Sequence, residues 1–253
     1  MRATRWFFNI ALVSLCALAT NQSFAAPTLA SITGSQDVVI ILVEFDDTGA
    51  GEGSAGAHDP AYFGSAVDGL VLGSSGGNLA DYLDEVSYGQ LTLGGVVANN
   101  QWHRSDQTEL YFGGDCDPGQ ACSLPYDVPT ATDNCNTCIG DLVRNAVQMA
   151  DTTGFDFSSY DGDLDGIIDH VIIVHAGHNQ GSLAGSADDI WSHWGQVPGG
   201  GEPVDGVVVE NYIMLSEHDA MSVLAHDFMH DLGAPDLYDY DLDSDPVGRW
   251  CVM

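Results

Sequence analysis

Lysine is absent from the chain, and the five cationic side chains, all arginines, face 37 aspartates and glutamates, for a formal net charge of −32. Without lysine there can be no GxxxxGK[ST] phosphate loop. A surface this negative repels nucleic acid and anionic lipid, which argues against both as partners. A solvated acidic face accounts for most of the carboxylates, and those that cluster suit a hard cation such as calcium. No internal repeat is present.

Long apolar runs are few. The first, residues 7–19, follows Arg2 and Arg5 and precedes Ser23, Phe24 and Ala25, a small-x-small cleavage pattern. It reads as a secretory signal peptide over residues 1–25, too short and wrongly flanked for a membrane anchor. Cys16 lies in a poor context for lipid attachment. The mature chain, 26–253, is therefore expected outside the cell or in the periplasm, without an anchor. Cys116, Cys122, Cys135 and Cys138 fall in one Gly/Pro/Asp-rich stretch. In an exported chain they read as two disulfides stapling a long loop, in preference to a small zinc site, with the pairing open. Cys251 is left odd.

The pattern along the chain is mixed. Residues 38–45, VVIILVEF, form a β-branched run suited to a buried strand. Residues 78–87 read as a short helix, 90–98 as an alternating strand, and 139–150 as a helix with Leu142, Ala146 and Met149 on one side. A second buried strand is expected over 167–175 and another over 207–215. A helix over 217–232 is stopped by Gly233 and Pro235. The sum is one α/β (α+β) domain with a mixed sheet and a key helix near the end.

That helix carries the chemistry. His226 and His230, four apart, lie one turn from each other on the same face and can offer two imidazoles to one cation. A histidine pair alone is a weak signal. Gly233 permits a sharp turn, and Asp236 then arrives ten residues after His226. This H-x-x-x-H-x-x-G-x-x-Asp spacing suits a three-ligand zinc site that keeps a fourth position for water. Asp239 and Asp241 are close enough in sequence to compete with Asp236. Asp231 reads as a solvent-facing helix residue. His170, His175, His178 and His193 read as hydrogen-bonded scaffold histidines rather than ligands, and Trp191 and Trp194 as loop-packing residues.

Five segments in order, DEVSYGQLTL (84–93), YDGDLDGIIDHVIIVHAG (160–177), DDIWSHW (188–194), HDFMHDLGAPDLYD (226–239) and VGRWCVM (247–253), resemble the immune inhibitor A-like zinc metallopeptidases. The resemblance implies a secreted endopeptidase of zincin fold, with a mixed sheet, a backing helix and an active-site helix. Its zinc would be held by the residues at His226, His230 and Asp236, with Met253 at the methionine turn. Its substrates would be proteins or peptides. Two departures stand out: Asp227 occupies the place of the general-base glutamate, and Met229 that of a small glycine. The glutamate takes a proton from the attacking water and passes it to the leaving amine. Aspartate is one methylene shorter, and general acid–base catalysis is worth about 10²- to 10⁴-fold, so weakened turnover is expected. Relatives carry a long pro-segment and continue past the methionine turn. The sequence is thus expected to be a fragment or truncated product with an incomplete lower cleft wall.

Asp161, Asp163, Asp165 and Gly166 form D-x-D-x-D-G, and Asp169 adds a fourth carboxylate, a candidate calcium loop. The twelfth position is Ile172, so it is no full EF-hand. Asp239, Asp241, Asp243 and Asp245 form a weaker candidate. Two rivals to the peptidase remain: a metal-binding pseudoprotease, and a calcium-dependent surface module, which leaves the helix motif unexplained.

Overall fold

Strand β1 (Gly34–Glu44) organises the molecule because its side chains alternate between two cores. A computed structural model describes residues 33–51, 58–60, 62–63, 78–114, 136–238 and 251–253. The signal-peptide reading, most of the cysteine-rich loop and the acidic run at Asp239, Asp241, Asp243 and Asp245 lie outside the described residues. Val39, Ile41 and Val43 face one core, and Val38, Ile40 and Leu42 the other, all at 1% exposure or less. Each such side chain is worth about 1.5–3 kcal/mol when fully buried, which favours this strand being sandwiched.

β1 pairs in parallel with β2 (Leu91–Arg104) on one side and β3 (Val171–His175) on the other. β3 pairs in parallel with β7 (Asn211–Ser216), and β4 (His193–Gln196) closes the sheet antiparallel to β7, giving the order β2-β1-β3-β7-β4. A small hairpin, β5 (Glu202–Val204) with β6 (Val207–Val209), stands apart. Opposite Ile41, β2 fits residues 98–101 through left-handed Asn99 and Asn100, so Ile40 pairs with Val97 but Leu42 with Trp102.

Helix α1 (Leu79–Val86) starts at Asn78, whose side chain accepts from the Asp81 amide at 2.7 Å. A single turn, α2 (Glu109–Gly113), follows β2. The longest helix, α3 (Asn136–Thr152), puts Leu142, Val143, Ala146 and Val147 on the first core and is the backing helix. Cys138, buried on α3, is disulfide-bonded. Helix α4 (Met221–Asp231) lays Leu224, Ala225 and Phe228 against the second core, beside Leu79 and Leu83 of α1. Met229 packs against that core as well.

Three expected elements are shorter. The strand expected from residue 167 begins at Val171, because Leu164 and Gly166 have positive φ and the acidic turn holds Ile167 to a lone bridge with Val208. The run 207–215 divides into β6 and β7, with Glu210 between them. The helix expected from Glu217 starts only at Met221, because Glu217 and Asp219 are buried acceptors: the Gly51 amide donates to Glu217 at 2.7 Å and the Ser216 amide to Asp219 at 2.8 Å.

Candidate active site

The carboxyl end of α4 and the turn after it bring three donor atoms together. Gly233 takes φ +89°, and its amide and that of Ala234 bond back to His230 and Met229 carbonyls at 2.8 Å each. This glycine-led stop turns the chain under the helix and delivers Asp236. Its Oδ1 lies 3.4 Å from His226 Nε2 and 3.2 Å from His230 Nε2, and the two Nε2 atoms are 3.2 Å apart.

The far nitrogens decide what those atoms are. His226 Nδ1 donates to the Val252 carbonyl at 2.7 Å, and His230 Nδ1 to the Ala234 carbonyl at 2.9 Å. A carbonyl can only accept, so Nδ1 of each ring carries a proton, and in the neutral imidazole Nε2 then presents its lone pair. Two imidazole lone pairs and a carboxylate oxygen thus face one another. That arrangement is repulsive by itself and is what a cation requires. In a tetrahedron with metal–ligand distances of about 2.0–2.1 Å, the ligand atoms are about 3.3–3.4 Å apart, so the residues fit zinc. The imidazoles' outer N–H groups, held by carbonyls, match the usual support of metal-bound histidine. Met253 is buried beside Val252, the residue whose carbonyl orients His226.

Asp227 is 4% exposed, and its Oδ2 is buried without a hydrogen-bond partner. An oxygen of Asp227 comes within 4.8 Å of the two histidine nitrogens. The Asp236 contacts are shorter, so Asp236 is the better placed third ligand and Asp227 the flanking carboxylate. Burial pushes the Asp227 pKa up to about 7, against the pull of His230 and of the Trp194 backbone amide.

These groups open onto a cleft of about 1080 Å³. One wall is the segment leading into β4, with Trp191, Ser192, His193 and Trp194. Ser222, Val223, His226, Asp227 and His230 of α4 form another, and Pro235, Asp236, Tyr238, Cys251 and Val252 complete the lining. The β4 wall is anchored by Asp219, which accepts from Asn179 Nδ2 at 2.8 Å and Ser192 Oγ at 2.5 Å. Nothing in the local pattern pointed to Asp219.

Asp231 corrects the sequence reading. Its side chain is 4% exposed, takes a hydrogen bond from His170 Nδ1 at 2.6 Å and another from Trp194 Nε1 at 3.0 Å. It is therefore not a solvent-facing residue. The scaffold role of the other histidines agrees with their contacts: His175 donates to the Ala176 carbonyl, and His193 lies between the Trp191 carbonyl and Tyr212 Oη. Trp191 is 44% exposed and lines the cleft rather than packing a loop onto the core.

In the acidic loop, Asp161, Asp163 and Asp169 bring oxygens within 4.8 Å of one another. Asp165 is not among them, and its Oδ1 accepts from the Ile167 amide at 2.8 Å. Asp161 accepts from the Asp165 and Gly166 amides, Asp163 from the Asp165 amide and Asp169 from the Gly162 amide.

Residues 32–253 match the family model for the immune inhibitor A peptidase M6 catalytic domain. The chain belongs to this family. It is 30% identical over 225 residues to immune inhibitor A of Bacillus thuringiensis subsp. alesti, covering 78% of this chain and 31% of that protein. It is 29% identical over 197 residues to the pre-pro-metalloprotease PrtV of Vibrio cholerae serotype O1, covering 70% of this chain and 21% of that one. The chain thus spans less than a third of the length of these relatives. The mixed sheet flanked by α3 and α4 is consistent with a metallopeptidase catalytic domain.

Proposed function

We propose that this chain is the catalytic domain of a secreted zinc-dependent endopeptidase acting on proteins or peptides. One observation carries the reading: two Nε2 lone pairs and a carboxylate oxygen lie 3.2–3.4 Å apart, with both imidazole protons committed to carbonyls on the far side. Family membership and the metalloprotease name of one relative support it. The arginine-led apolar start supports export.

His226, His230 and Asp236 would hold zinc, which when bound polarises the scissile carbonyl and lowers the pKa of water toward about 7. Asp227 takes the proton from the attacking water and returns it to the leaving amine. A group that must accept and then release a proton near neutral pH works best with a pKa near that pH, and burial moves Asp227 in that direction. Its shorter reach limits the rate. Calcium is proposed at Asp161, Asp163 and Asp169 on the hardness of the oxygen donors.

Purified protein is expected to cleave casein, to stop with phenanthroline and to recover with zinc. Bound zinc without cleavage, and cleavage gained by Asp227→Glu, identifies a pseudoprotease. Absence of zinc with calcium-dependent melting identifies a calcium-dependent surface module.

A further inference from the structure

Asp227 and Asp231 stand four residues apart on α4 and so share the face that meets β4. Both are met by Trp194 of that strand. The backbone amide of Trp194 hydrogen-bonds the Asp227 carboxylate, and its indole Nε1–H donates to Asp231 Oδ1 at 3.0 Å. The second oxygen of Asp231 is taken by His170 at 2.6 Å. His170 in turn is fixed to the sheet centre, because its carbonyl accepts from the Val39 amide at 3.0 Å, and its ring lies 5.0 Å from that of Phe228.

We propose that Asp231 is a positioning residue: it clamps the Trp194 segment of β4 onto α4 and thereby sets where the Asp227 carboxylate sits. The proposal rests on the reading of Asp227 as the proton carrier. Asp227 cannot reach far, so its usefulness depends on the α4–β4 spacing, and this spacing is fixed at Asp231 by two hydrogen bonds to its carboxylate. Such bonds are short and stronger than neutral ones. Glutamate at 227, one methylene longer, would depend less on the clamp.

The test compares Trp194→Phe, which removes the indole N–H together with part of the ring, in the natural background and in Asp227→Glu, so that the ring loss is common to both, with zinc content measured for each. In the natural background kcat is expected to fall about tenfold, the scale of one charge-assisted hydrogen bond, with zinc content held. In the Asp227→Glu background the fall is expected to shrink to about threefold or less. Equal losses in both backgrounds, or a loss of zinc that accounts for the fall, would overturn the proposal. A separate readout does not need turnover. The Trp194 indole proton, assigned by its absence in Trp194→Phe, is expected to exchange slowly in the natural protein and rapidly in Asp231→Ala. An indole proton that exchanges freely in the natural protein overturns the clamp. Slow exchange lost on Asp231→Ala, in a protein that never cleaves peptide, leaves the clamp standing and removes the proteolytic reading instead.

Discussion

Among the described residues, two groups of converging metal-type donors differ in what their lone pairs already do. At the end of α4, backbone carbonyls hold the imidazole protons outward and leave both Nε2 atoms facing Asp236. In the loop at Asp161, the carboxylates accept the loop's own amides, including those of Gly162, Asp165 and Gly166. The first group turns two imidazole nitrogens and a carboxylate oxygen toward one point that a cation could occupy, whereas the second is a turn that amides already brace. Counting acidic residues would rank the loop first. Following the protons reverses the order.

The comparison can be broken most sharply by removing one member of each group. His230→Ala is expected to lose zinc and all proteolysis, whereas Asp163→Asn keeps both, as read by metal analysis and casein cleavage. A next step separates holding the metal from moving the proton. Asp227→Asn is expected to retain zinc but lose about 10²- to 10⁴-fold in kcat, the range of general acid–base catalysis. Parallel loss of zinc would place Asp227 among the ligands instead.

A third contrast sets His226 and His230 against His175, whose pKa burial lowers from 6.5 to about 4. Its unfolded form binds a proton that its folded form refuses. Stability from this residue is therefore complete above pH 6.5 and is lost as pH falls toward 4, by about 3 kcal/mol. His175→Gln is expected to flatten that acid limb of the urea-unfolding curve. An unchanged limb would assign the acid sensitivity elsewhere. The smallest effect belongs to the loop: calcium is expected to raise the melting temperature by a few degrees, and Asp163→Asn to halve the rise.

The central strand, the backing helix and the cleft-facing helix were legible because periodicity alone decides them. VVIILV alternates between two apolar faces, and a pattern of this kind has no exposed solution. The His226, His230, Gly233 and Asp236 spacing was legible for a similar local reason, since one turn and one left-handed glycine bring the three side chains together. Asp231 was misread because an acid late in a helix usually faces water, and its partners His170 and Trp194 come from distant segments. A signal did exist: Asp227 and Asp231 are four apart, so an inward Asp227 carries Asp231 inward too. The early start expected for α4 failed because Glu217 and Asp219 are used as buried acceptors for backbone amides of other segments, which periodicity cannot register. Val252 as the residue that orients His226 had no sequence signal.

X-ray absorption at the zinc edge on purified protein measures the metal's neighbours directly. The expected result is one zinc per chain with two imidazole nitrogens and carboxylate or water oxygens at about 2.0–2.1 Å. A chain that retains no zinc, or a zinc shell without two imidazoles, would contradict it.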